Sequence, residues 1–122
     1  MANANKAKGT AWESAIVKLL NAAGIPARRV AQTGALDTGD IHGIDPFIGQ
    51  AKNMLNLADA LNQGLAGAKV QAARVNADAL PVAFVKRRGK GTGDGYAVLD
   101  LATFARHLAR HRELADFWAR HH

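Results

Sequence analysis

The stretch DIHGIDPFIGQAKN, residues 40–53, decides the reading of this chain. It reads as two short strands, residues 40–44 and 47–53, meeting at Asp45-Pro46, a dipeptide that favours a turn. Side chains alternate along a strand, so Ile48, Gln50 and Lys52 share one face of the second strand. A short hairpin brings the Asp40 carboxylate beside that pair. Asp40, the Gln50 amide oxygen and the Ala51 backbone carbonyl then make a hard-oxygen donor set suited to Mg²⁺ or Mn²⁺. Lys52 neighbours a bound water. A cation that polarises phosphate, with an ammonium that orients the nucleophile, suits phosphodiester hydrolysis. Each residue also has an ordinary structural explanation: Asp40 as the end of a turn, Gln50 as edge polarity, Lys52 as a solvated strand lysine.

Upstream, residues 27–33 (ARRVAQT) are weakly strand-like and residues 34–39 turn-rich, which makes a three-stranded meander with the two strands above. Before it, Trp12, Ile16, Leu19, Leu20 and Ala23 recur at three and four over residues 11–23, with Gly24 and Pro26 as a stop, and predict a helix. Residues 1–9 are small, polar and basic, and read as a flexible arm before a single domain over residues 10–122. Downstream, residues 57–76 predict a second helix along Leu57, Leu61, Leu65, Ala68 and Ala72, where Gly64 and Gly67 weaken the helix or allow close packing. Residues 80–86 and 96–101 are strand-like and flank residues 87–95, whose four glycines predict a mobile connection. A terminal helix covers residues 102–121. The expected fold class is α/β, one domain with a central mixed sheet flanked by helices in the order α-β-β-β-α-β-β-α.

The 122-residue chain is 48% hydrophobic and 21% charged, which excludes a disordered chain and a two-domain enzyme. Sixteen Lys and Arg against ten Asp and Glu give a formal charge of +6, favouring a polyanionic partner, nucleic acid first. No cysteine is present, which removes disulfides, thiolate zinc sites and cysteine nucleophiles and fits a reducing compartment. No apolar run approaches the roughly 18 residues of a membrane span. A cytoplasmic, DNA-associated protein is the expectation.

Lys8-Gly9-Thr10, Glu13, Thr33-Gly34, Asp40-Ile41 and Gln50-Ala51-Lys52-Asn53 occur in an order and spacing that resembles the archaeal-type Holliday junction resolvases of the PD-(D/E)XK nuclease superfamily. The likeness covers roughly residues 8–53. It implies a restriction-endonuclease-like fold and a homodimer that cuts branched DNA with Mg²⁺ or Mn²⁺. By the same resemblance Glu13 and Asp40 are metal ligands, Gln50 occupies an acidic ligand position, Lys52 is the catalytic lysine, and Thr33 stands for a serine near the scissile phosphate. Gln50 departs from the pattern by losing a negative charge, which weakens Mg²⁺ affinity, although a Gln-x-Lys version is similar to Mrr-type restriction nucleases. Thr33 keeps the hydroxyl and adds a methyl. Two alternatives follow: a Mrr-like or phage nuclease acting on duplex DNA, and a DNA-binding module that kept the fold and lost turnover.

Thr10 to Glu13 also matches a helix capping box, which gives Glu13 a structural reading. Asp37 and Asp45 are further carboxylates near the site, each explained by loop or turn chemistry. Candidate DNA contacts are Lys6 and Lys8, Arg28 and Arg29, and the dense group Lys86, Arg87, Arg88 and Lys90. Arg106, Arg110 and Arg112 form a further basic group. Gly89-Lys90-Gly91-Thr92 lacks the earlier glycine of a nucleotide-binding loop, Phe84 standing there, so no nucleotide cofactor is expected. His107 and His111 lack a third metal ligand and read as exposed helix histidines. Leu101, Phe104, Leu108, Ala115 and Trp118 on the last helix read as core or dimer contacts.

Overall fold

A computed structural model describes residues 2–30 and 40–122, with side chains from residue 7 onward. Thr33, Gly34 and Asp37 lie outside the described residues, as does the Lys6 side chain. The elements in chain order are α1 (Ala2–Ala22), β1 (Arg28–Arg29), β2 (Ile41–His42), β3 (Phe47–Lys52), α2 (Leu57–Val75), β4 (Leu80–Val85), β5 (Tyr96–Val98) and α3 (Leu101–His121), with a 3₁₀ turn at Thr92–Asp94. The chain is one α/β domain with a five-stranded mixed sheet and three helices.

The strands lie side by side in sequence order, β1-β2-β3-β4-β5. Pairing is antiparallel except between β3 and β4, which run parallel from Phe47↔Leu80 to Lys52↔Val85. A parallel pair needs a crossover, and α2 supplies it. Alternation along β3 and β4 divides the core into two layers. Ala51 and Phe84 pack on one face with Trp12 and Ile16 of α1 and with Ala27 and Ile41. On the other face Ile48 meets Ala72 of α2 and Ala79, and Ala83 and Val85 meet Ala60 of α2.

Local chemistry sets the boundaries. Gly24 follows α1 with φ +88°, a left-handed conformation open to glycine, and Ile25 N–H returns to the Leu20 carbonyl at 3.0 Å. The Asn56 side chain caps α2 by accepting from Asp59 N–H at 3.0 Å.

The structure adds detail to three expectations. The first helix begins at Ala2 rather than near Thr10, so residues expected to form a flexible arm are its opening turns. Their Ala and Lys content favours helix, and the missing apolar period means only that those turns had no core-facing stripe to read. Residues 87–95 carry a 3₁₀ turn and inward contacts. Arg87 lies over the Tyr96 ring at 4.7 Å, its Nη1 donates to the Asp94 carbonyl at 3.4 Å, and a Cβ added at Gly95 would fall 2.8 Å from the Trp12 indole. The apolar row on α3 is not core: Leu101 is 80% exposed and Trp118 59%, with Phe104 and Leu108 also exposed. Among the described residues no helix is long and apolar enough to cross a membrane.

Candidate functional site

The site is built where β2 and β3 part. Strand β2 pairs with β3 at Ile41↔Gly49, whereas β3 continues to Lys52 beside β4. Past that point the edge of β3 facing β2 needs another partner for its backbone. Asp40 provides it. Its Oδ2 accepts the Ala51 N–H at 2.9 Å, its backbone N–H donates to the Gly49 carbonyl at 2.9 Å, and its carbonyl accepts the Val30 N–H at 3.0 Å. Asp40 is only 9% exposed, so sequence-distant backbone groups hold this carboxylate in place.

In an extended strand the N–H and C=O of one residue project from the same edge. The Ala51 carbonyl therefore faces the Asp40 side of β3. The Lys52 carbonyl faces the other way and accepts Lys86 N–H at 3.0 Å. Asp40 and Ala51 thus present two hard oxygens along one edge, which fits a divalent cation such as Mg²⁺.

Gln50 and Lys52 lie on the α2 face. A Cβ added at Gly67 would meet Gln50 Oε1 at 2.8 Å, and one added at Gly64 would meet Lys52 Cγ at 3.3 Å and the Ala83 side chain at 2.9 Å. The two helical glycines let bare backbone sit on β3 and β4, and Gly67 fixes how far the Gln50 amide can swing. Gly67→Ala is expected to keep the fold, because the flexible tip of Gln50 yields and the helix gains about 1 kcal/mol of propensity. The Gln50 side-chain amide resonances should move in a ¹H–¹⁵N spectrum. Unmoved resonances would place Gln50 elsewhere.

Glu13 of α1 makes an ion pair. Its Oε2 is 3.1 Å from Nε of Arg29, which pairs in register with Ile41 on the α1 face of the sheet. The capping box is overturned, since α1 runs through Thr10 and the Glu13 side chain pairs with Arg29. Among the described residues no three His, Asp or Glu side chains converge on a cation site. Thr33 and Asp37, both assigned to the site neighbourhood from sequence, lie outside the described residues.

The basic residues separate by position. Lys8 from α1 and Lys86 and Arg88 from beyond β4 line one cleft with Asn53, Leu55 and Gly89. Arg28 is exposed on the edge strand β1, Arg29 holds Glu13, Arg87 is drawn to Tyr96, and Lys90 is exposed on the turn after Gly89. Sequence spacing gave no hint of the Arg29–Glu13 pair or of Trp12 beneath Lys86, whose Nζ is 5.8 Å from the ring centroid. Gly64 and Gly67 were a readable signal, because glycines inside an otherwise strong helix imply close approach.

A cavity of about 580 Å³ lies on the α1 face between Leu20, Ile44, Phe47, Val82, Phe84 and His107. It is apolar and separate from Gln50 and Lys52. The His107 ring packs at 4.9 Å on Phe47, so this histidine is a packing group rather than a free one. No protein-family model matches the sequence, and neither curated proteins nor solved structures give a match.

Proposed function

We propose that this chain is a metal-dependent DNA endonuclease with a restriction-endonuclease-like core, acting on branched DNA such as a four-way junction. The observation that carries the reading is the buried Asp40 carboxylate seated on the Ala51 amide, with Gln50 and Lys52 on either side of that residue in β3. Asp40, Gln50 and the Ala51 carbonyl would hold Mg²⁺ or Mn²⁺. The chemistry such a cation supplies is polarisation of the phosphate and acidification of water. Lys52 orients the attacking water with its ammonium and offsets charge that builds on the phosphate oxygens. Lys8, Lys86 and Arg88 hold the DNA backbone beyond the end of β3. Thr33 enters only through the family resemblance, as a hydroxyl near the scissile phosphate. Two such sites in a homodimer would cut symmetric strands, and the exposed apolar row of α3 is the surface that pairing would cover.

The deciding experiment compares cleavage of a synthetic four-way junction and a linear duplex of equal length at matched salt, with Mg²⁺, Mn²⁺ and EDTA arms. Faster cleavage of the junction, abolished by EDTA, is expected. Equal rates would move the reading to a duplex nuclease. No metal-dependent cleavage of either would leave a DNA-binding module, a reading favoured by the neutral Gln50 and by the commitment of Glu13 to Arg29. Gln50→Glu restores a charge at constant length and is expected to lower the Mg²⁺ concentration for half-maximal cleavage by about tenfold, the effect of roughly 1.4 kcal/mol of binding energy. An unchanged Mg²⁺ requirement would place Gln50 outside the ligand set.

A further inference from the structure

We propose that the cleft at the end of β3 and β4, lined by Lys8, Asn53, Leu55, Lys86, Arg88 and Gly89, is a subsite for an internal phosphodiester of a polynucleotide, adjoining the site of cleavage. Three cations converge there from segments far apart in sequence, around a concavity of about 180 Å³ with, among the described residues, no carboxylate in its lining. Among the described residues none of the three makes an ion pair. Like charges gathered around one concavity repel, and an anion seated between them removes that repulsion and releases counterions. The anion is small and oxygen-rich. The Asn53 amide and the turn at Gly89, with φ +71°, supply hydrogen-bonding groups suited to phosphate oxygens.

The cleft is continuous with the candidate site through the backbone. Asn53 directly follows Lys52, and Lys86 donates its N–H to the Lys52 carbonyl at 3.0 Å. The cleft thus begins one residue beyond Lys52 along the chain. Lys86 lines the cleft while its Nζ lies 5.8 Å from the Trp12 ring centroid. The role next to cleavage rests on the nuclease reading, whereas phosphate binding does not.

The test is a ¹H–¹⁵N titration of the full chain in EDTA, first with inorganic phosphate and then with a single-stranded oligonucleotide bearing hydroxyls at both ends. The Asn53 and Gly89 amides should shift with both probes, and more strongly with the oligonucleotide. Arg88→Gln, at an exposed position, should abolish both sets of shifts, and Lys8→Gln should weaken them. On duplex DNA each variant should lower the slope of log affinity against log salt by about 0.9. Shifts with inorganic phosphate alone would overturn assignment to a chain phosphodiester. Shifts spread over the whole basic surface, or unchanged in Arg88→Gln, would overturn the subsite. If these shifts occur while no metal-dependent cleavage is found, the subsite stands and the nuclease reading falls; cleavage without them has the opposite meaning.

Discussion

Lys52→Ala is expected to lower metal-dependent cleavage by about 10³-fold while junction affinity falls only a few-fold. The asymmetry follows from the two roles of one ammonium. In binding it is one of several cations near the backbone, and losing one phosphate contact changes affinity modestly. In the reaction it faces charge that appears only in the transition state, where removal of one preorganised donor costs about 10²–10³ in rate, and loss of water orientation adds to that. The fold should tolerate the change, since Lys52 is only partly buried and its stem packs at a glycine rather than in a side-chain cluster. Single-turnover cleavage and fluorescence anisotropy on the same junction separate the two effects. Cleavage within a few-fold of wild type would remove Lys52 from the chemistry.

Trp12→Ala is expected to have the largest effect on stability, about 3–5 kcal/mol, against the roughly 5–15 kcal/mol that holds a typical domain folded. Trp12 is 4% exposed and is the main α1 anchor on the sheet. Its Nε1 donates to the Phe84 carbonyl at 3.0 Å, its indole packs against Gly95, and the Lys86 ammonium sits over the ring. One side chain thus ties α1 to β4 and to the segment before β5. Trp12→Phe keeps most of the apolar area and loses the N–H, so it should cost about 1–3 kcal/mol. Urea unfolding followed by circular dichroism gives both values, whereas fluorescence would report the remaining exposed Trp118. Equal losses in the two variants would mean that the hydrogen bond, rather than the buried ring, anchors α1.

The central strand was legible because period-two alternation is imposed by backbone geometry alone. Residues 47–53 were read as a strand with Ile48, Gln50 and Lys52 on one face, and β3 runs Phe47–Lys52 with Ile48, Gln50 and Lys52 toward α2. The crossover helix was legible for a similar reason, being long and rich in helix formers between two strands. The start of α1 was not: residues 2–9 carry no apolar period, so periodicity had no purchase there. The Glu13–Arg29 pair was not legible, because sequence spacing does not show which residues meet across tertiary space. The α3 row was half legible. Sequence shows that its apolar residues share a stripe, but burial depends on what lies opposite, and Leu101, Phe104, Leu108 and Trp118 are exposed.

The meeting of Gly67 with Gln50 also constrains how this protein can diverge. The two positions share one small volume, so alanine at 67 displaces only the tip of Gln50, whereas a residue larger than alanine there calls for a shorter one at 50. Related chains carrying a residue larger than alanine at 67 should therefore carry aspartate or asparagine at 50, while those with glutamate or glutamine at 50 should retain glycine or alanine at 67. Selection would then act on the two codons as a linked pair, although they lie on different elements.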